Sequence, residues 1–345
     1  MCKHRPVSVP PASRSRRTPG VSRARLGGVL IVVVLAGGGI AGCGAAATTN
    51  PPPSTASGTS PSSTPSTTGS GTSAPPAVPA TGAYLGAWLN PSPDGRGSFA
   101  GEQQAASAVR PAAGRPLGIL HLYLGWNEPA PVADLRAIAE GGSIPLLDWG
   151  CAPDGPEVAE GIYDAQITAF ATALKEYGGP VLLRWCWEMN LVRIHPQVGG
   201  PTGFTTAWDH IRSIFTSTGA ANVSFVWCPA LTGVDPAPYF PGATEVDWIG
   251  VDGYDRDGLQ SFATLFGSFY QQWEGLGKPM MVAETGSSGA AQPAYIDSIG
   301  TDMPALPGFK AVVYFDAAGP LGSWTLTPAG FQAFVGLARD PYFAP

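Results

Sequence analysis

Val181-Leu182-Leu183-Arg184-Trp185-Cys186-Trp187-Glu188-Met189-Asn190 is an apolar, strand-prone run that closes on an acid. The same shape returns along the chain. Ile144-Pro145-Leu146-Leu147 leads to Asp148, Trp248-Ile249-Gly250-Val251 to Asp252, Met280-Met281-Val282-Ala283 to Glu284, and Val312-Val313-Tyr314-Phe315 to Asp316. These runs predict strands at 144–149, 181–187, 246–251, 279–283 and 311–315, and similar runs at 84–89, 119–124 and 223–227 bring the number to eight. Between most of them lie stretches with helical spacing, at 163–176, 204–216, 262–273 and 294–299. Eight strands alternating with helices in about 260 residues predict an α/β fold, a (β/α)8 TIM barrel. Flavodoxin-like and two-domain arrangements fit this count less well. No Gly-x-Gly-x-x-Gly follows the first strand, which argues against a dinucleotide site.

A barrel places its chemistry at the C-terminal ends of its strands, and five acids stand at such ends here. Crowded carboxylates raise one another's pKa, so five on one rim call for a purpose. Two of the five are glutamates, Glu188 after the fourth strand and Glu284 after the seventh. Those strands lie nearly opposite in a ring of eight. Two facing carboxyl groups are what glycoside hydrolysis requires, one ionised to attack the anomeric carbon and one protonated to release the leaving oxygen. Trp126, Trp149, Trp227 and Tyr254 sit near the same ends and would offer flat apolar faces to sugar rings, unless they cap the core beneath the loops. Arg184 lies four positions before Glu188, so strand alternation puts both on the inner face, where a cation favours an ionised carboxylate and serves Glu284 at least as much as Glu188.

Several segments carry a resemblance. They are Gly161-Ile162-Tyr163-Asp164, Arg184-Trp185-Cys186-Trp187-Glu188-Met189-Asn190, Ala207-Trp208-Asp209-His210-Ile211 and Asn222-Val223-Ser224-Phe225-Val226-Trp227. They continue with Tyr239-Phe240-Pro241-Gly242, Val246-Asp247-Trp248-Ile249-Gly250-Val251-Asp252-Gly253-Tyr254 and Pro279-Met280-Met281-Val282-Ala283-Glu284-Thr285-Gly286. In this order and spacing, over residues 161 to 286, they resemble glycoside hydrolase family 26, best known for β-mannanases and part of the clan of retaining (β/α)8 glycosidases. The resemblance implies that Glu188 is the acid/base, Glu284 the nucleophile, Tyr254 a hydrogen-bond donor to the nucleophile and Arg184 a support from below. It also implies a sugar-binding surface that includes Trp187, Asn190 and Asp252. Trp187 stands where the family usually has His. Strict alternation would point it away from the barrel, so a bulge at the strand end is expected to turn it to the sugar. After Asn190 the chain reads Leu191-Val192-Arg193-Ile194-His195 in place of the family's usual Gly and aromatic residue, which leaves the sugar open among β-mannan, β-glucan and xylan types. The expected activity is endo-acting hydrolysis of a β-linked polysaccharide with retention. A carbohydrate-binding envelope lipoprotein with an impaired barrel is the alternative, and a purely structural envelope protein explains neither the acids nor the aromatics.

The charge is uneven. The formal net charge is −6, but seven of the 19 basic residues precede Cys43 and no acid appears before Asp94. From Cys43 onward 12 basic residues face 25 acidic ones, a balance against nucleic acid as a partner. The basic stretch to Arg25 and the apolar run at 26–42 have the build of a secretory signal peptide. That run ends in Ile40-Ala41-Gly42-Cys43, which resembles the bacterial lipobox and predicts lipidation of Cys43. An uncleaved anchor is the other reading, and both place the rest outside the cytoplasm. Residues 43–81 are rich in Ala, Thr, Ser, Pro and Gly without charge or aromatic side chain, a composition for a flexible tether. The chain thus divides into 1–42, 43–81 and a barrel at 82–345, expected to act as a monomer held to the membrane by its lipid. Cys151, Cys186 and Cys228 fall at three consecutive strand ends, where any two could pair in an oxidising compartment. No ligand spacing points to a metal and no cofactor is expected. His195 lies in a loop that could border a cleft, while His210 fits a helix surface.

Overall fold

A computed structural model describes residues 74–89, 99–319 and 322–344. The signal peptide, Cys43 and the tether up to residue 73 lie outside the described residues. Eight parallel strands close into a barrel in chain order: β1 (Tyr84–Leu89), β2 (Ile119–Leu124), β3 (Ile144–Trp149), β4 (Val181–Trp185), β5 (Val223–Trp227), β6 (Trp248–Asp255), β7 (Met280–Ser287) and β8 (Phe309–Asp316). β1 pairs with both β2 and β8, so no edge remains. The helices are α1 (Phe99–Ala113), α2 (Val132–Glu140), α3 (Gly155–Ala159), α4 (Asp164–Tyr177), α5 (Gly200–Thr218), α6 (Phe262–Trp273), α7 (Gln292–Asp302) and α8 (Pro328–Arg339). Alternation is not perfect. The short α3 is an extra turn before α4, and a single 3-10 turn at Ala237–Tyr239 stands between β5 and β6 where a helix would complete the pattern. Among the described residues no helix is long and apolar enough to cross a membrane.

Period-two alternation sorts the strand residues into two cores. Ile119, Leu146, Leu182, Val226, Trp248, Met281, Ala311 and Val313 fill the barrel interior. Their neighbours, such as Leu147, Leu183, Phe225, Ile249, Val282 and Val312, face outward into the larger layer beneath the helices. Following the same inward rows towards the strand ends gives His121, Tyr123, Asp148, Arg184, Asp252 and Phe315. The interior is therefore oil below and charge above.

Residues 74–81, read as the end of the tether, form no regular element. Pro76 and Pro79 are nonetheless buried, the Tyr84 hydroxyl donates to Ala77 O at 3.1 Å, and Pro75 borders a hollow of about 320 Å³ lined by residues of α5 and β5. The chain thus packs against the barrel several residues before β1 begins.

Candidate active site

Arg184, fully buried on β4, is the hub of the site. Its Nε donates to Asp148 Oδ1 at 2.6 Å, and Nη1 donates to both oxygens of Asp252 at 2.7 Å. Nη2 bonds Asp148 Oδ2 and Glu284 Oε1. His121 Nε2 lies 2.8 Å from Asp148 Oδ2. One guanidinium thus meets three carboxyl groups inside a barrel, a place where an unpaired charge would be very costly. Three ionised acids would outnumber the cation. Burial, opposed by Arg184, pushes the Asp252 carboxyl well above its ordinary range. Burial also works to raise Asp148, but Arg184 and His121 hold it below its ordinary value. His121, Asp148 and Glu284 bring ligand-type atoms within 4.8 Å of one another, yet Arg184 already lies among them, bonded to Asp148 and Glu284 with its Nη2 3.3 Å from His121 Nε2.

Glu284 reaches this hub through a bulge. Met281 and Ala283 face the interior, so a regular strand would turn Glu284 out towards the helices. Instead the β6–β7 register slips by one: Val251 pairs Val282, and Asp252 pairs Glu284. The extra residue lets Glu284 face inward as well. There it accepts hydrogen bonds from Arg184, from the Tyr123 hydroxyl at 2.6 Å and from the Tyr254 hydroxyl at 2.5 Å. Burial, reinforced by the Glu284 charge, pushes both phenols well up, so both remain donors.

Glu188 lives in a different setting. It follows β4 on a stretch where Cys186 and Glu188 both have positive φ, 50° and 54°. Its carboxyl accepts no hydrogen bond among the described residues, and burial, then the nearby Glu284 charge, raises its pKa from 4.5 to about 7. One glutamate is held as an anion-shaped acceptor; the other keeps its proton near neutrality.

Both line one cleft of about 570 Å³. Tyr123, Asp252 and Glu284 form part of its floor, and Trp88, Trp187, Phe315, Trp324, Tyr254, Arg256 and the loop side chains Leu191, Ile194 and His195 wall it. Trp187 faces the cleft as expected, but through the left-handed turn at Cys186 and not a bulge; it packs edge-on to Tyr123 at 5.3 Å and lies 5.8 Å from the Arg184 guanidinium carbon. His195 borders the cleft, and His210 pairs with Asp164 on the outside at 2.6 Å. Cys151 and Cys186 form the disulfide, leaving Cys228 as a buried thiol 3.2 Å from Asp252 Oδ1.

Four expected sugar contacts fall elsewhere. Trp149 is fully buried between Trp126 and Phe170, stacked at 4.4 and 4.2 Å, and Trp126 is itself only 5 % exposed. Trp227 is buried against Trp273 and Phe240. All three belong to the layer between strands and helices. Asn190 is spent on backbone, its Nδ2 donating to Ala230 O and Val234 O and its Oδ1 accepting from Ala230 N. It ties the β4 loop to the β5 loop. Conversely, Trp88, His121, Tyr123, Phe315 and Trp324 were not singled out as site residues; the first four follow from strand alternation, whereas Trp324, stacked on Tyr254 at 4.6 Å, comes from a loop with no periodic signal.

No protein-family model matches the chain. Endoglucanase H of Acetivibrio thermocellus is 28 % identical over 230 residues, which cover 60 % of this chain and 24 % of that protein. Beta-1,3-xylanase TXYA of a Vibrio species is 33 % identical over 101 residues, 27 % of this chain and 21 % of its own. The chain therefore spans about a quarter of the length of the curated relatives it matches. Among solved structures, the Bacillus subtilis mannanase BCman superimposes with a TM-score of 0.55 at 21 % identity, covering 74 % of this chain and 84 % of its own. The catalytic domain of the family 26 endo-β-1,4-mannanase of Bacillus sp. JAMB-750 reaches 0.58 at 16 % identity, over 76 % and 86 %. The fold is that of the family 26 mannanases.

Proposed function

We propose that the protein is a retaining endo-glycosidase acting on a β-linked polysaccharide. The observation that carries this reading is the opposite treatment of two glutamates in one cleft. Glu284, bonded by Arg184, Tyr123 and Tyr254, is the nucleophile: its oxygen attacks the anomeric carbon as the bond to the leaving oxygen breaks. Glu188, lifted to about 7, gives its proton to that oxygen. The glycosyl ester neutralises Glu284, which removes the like charge beside Glu188 and lowers its pKa. Glu188 then takes a proton from water, whose oxygen attacks the same carbon and frees Glu284. The names of the relatives support a β-linked main chain: an endoglucanase, a β-1,3-xylanase and β-1,4-mannanases.

Digestion of β-mannan, β-1,3- and β-1,4-glucan and xylan, with analysis of the anomer released, tests the reaction. A 2-fluoro glycoside should leave a covalent adduct on Glu284, found by mass spectrometry. Product release undiminished in Glu284→Ala would overturn the assignment.

Export and lipid anchoring at Cys43 are part of the same proposal and rest on the sequence at 1–43. Fatty-acid labelling of the protein that survives Cys43→Ala would sink the anchor while leaving the enzymology standing.

A further inference from the structure

The stretch that carries the acid runs against strand geometry. Leu182 and Arg184 face the barrel interior, so unbroken alternation would send Cys186 inward and Trp187 out to the helices. The opposite is found. Cys186 lies in the outer layer, bonded to Cys151, while Trp187 and Glu188 both line the cleft. The reversal is made by left-handed backbone at Cys186 and again at Glu188, a conformation unfavourable to any residue with a β-carbon. Such a backbone persists only where its surroundings fix it.

The two sides of this stretch are fixed differently. Towards β5 the ties are hydrogen bonds: Glu188 N donates to Cys228 O at 2.8 Å, and Asn190 bonds Ala230 and Val234. Towards β3 they are one hydrogen bond, Cys186 N to Trp149 O at 2.8 Å, and the disulfide. Cys151 Sγ also sits 3.4 Å from Nδ1 of His195, so the same sulfur touches the far end of the acid's loop.

We propose that the Cys151–Cys186 disulfide is a positioning device: it holds the reversed backbone that turns Trp187 into the cleft beside Glu188 and fixes the left-handed turn that carries the Glu188 carboxyl, and opening it disables proton delivery to the leaving group. Nothing in this linkage touches Glu284, whose donors come from β2, β4 and β6. Nucleophilic attack should therefore survive the loss of the disulfide. The inference rests on Glu188 being the acid.

The test is a pair of substrates with one glycone, a 2,4-dinitrophenyl glycoside that departs without a proton and an alkyl glycoside that needs one. In Cys151→Ala/Cys186→Ala, kcat/KM for the alkyl glycoside should fall at least about tenfold, and for the dinitrophenyl glycoside less than about threefold. The ratio of the two does not depend on the fraction of enzyme that is folded. Wild-type protein treated with a dithiol, which becomes a cyclic disulfide as it leaves two protein thiols, should show the same split. Equal losses on both substrates, or none, would overturn the proposal. Glu188→Ala serves as control: if it fails to discriminate between the two leaving groups, the assignment of Glu188 fails and not the role of the disulfide.

Discussion

Replacing Glu188 by Gln should stabilise the fold, and only above the pH at which an ordinary glutamate ionises. In the unfolded chain this carboxyl loses its proton near 4.5; in the folded protein burial and the Glu284 charge hold the proton to about 7. The folded state therefore binds more protons than the unfolded one between those values. Stability that is fully present below pH 4.5 is lost as pH rises, and the whole loss is in place above 7. At 1.36 kcal/mol per pKa unit the loss is about 3 kcal/mol. Gln keeps the shape and carries no charge, so the variant escapes it. For a domain of this size that corresponds to roughly 5–10 °C in melting temperature. Scanning calorimetry of wild type and Glu188→Gln at pH 4.5 and pH 8 reads the effect directly. The two should melt together at the lower pH and separate at the higher, with the variant above. A constant gap at both pH values, or a variant that melts lower at pH 8, would refute the electrostatic account of Glu188.

Other outcomes follow from the same contacts. The alkaline limb of the kcat/KM profile should fall near pH 7 in the wild type, since the free enzyme must hold the Glu188 proton, and it should vanish in Glu188→Ala assayed on a dinitrophenyl glycoside. Tyr254→Phe and Tyr123→Phe each remove a donor to the Glu284 carboxylate; each should cost about 10–100-fold in kcat/KM, at about 1.5–3 kcal/mol per charged hydrogen bond. Arg184→Met leaves the buried acids of the hub without their cation and should destabilise the fold by about 3–5 kcal/mol in denaturant titration. Trp149→Ala should cost a similar amount in stability through an unfilled core while leaving KM unchanged, whereas Trp187→Ala should raise KM with little effect on melting.

Much of this molecule was legible in its sequence because β-strand burial leaves a local pattern. Four of the eight predicted strands (β1, β2, β3 and β5) have the bounds read from apolar runs, β4 shares only its start, β6 and β7 run on past their acids, and β8 ends on its own. Period two, applied one step further, would also have sorted the tryptophans. Trp149 follows inward-facing Asp148 and Trp227 follows inward-facing Val226, so both must face the helices. Treating them as cleft residues weighed nearness to a strand end above parity. The converse failure is instructive too. Parity would have excluded Glu284 and Trp187 from the cleft, and both are there because the backbone breaks register, by a bulge in β7 and by left-handed residues after β4. Those breaks depend on contacts with neighbouring strands, and no window of local sequence contains them. Which of three cysteines pair is equally a property of how strand ends meet.

Those two breaks give the two glutamates of one barrel different surroundings. A regular β7 would leave Glu284 outside the ring of donors that Arg184, Tyr123 and Tyr254 present on the inward rows. A regular exit from β4 would leave Trp187 outside the cleft and the wall beside Glu188 open to water. The bulge brings Glu284 to three donors, and the left-handed turn brings Trp187 beside Glu188, whose burial next to Glu284 raises its pKa to about 7. The hub lies beneath the cleft: Arg184, Asp148 and His121 are fully buried, and of its four members Asp252 reaches the floor. Above it Trp88, Trp187, Leu191, Ile194 and Trp324 wall the cleft, and of these Trp187 also shields Glu188 while Trp324 stacks on Tyr254. If the proposed activity holds, exchanging Leu191 or Ile194 should change which polysaccharide is cut while Glu284 keeps its three donors, because those side chains belong to the cleft wall and the donors to the inward rows beneath.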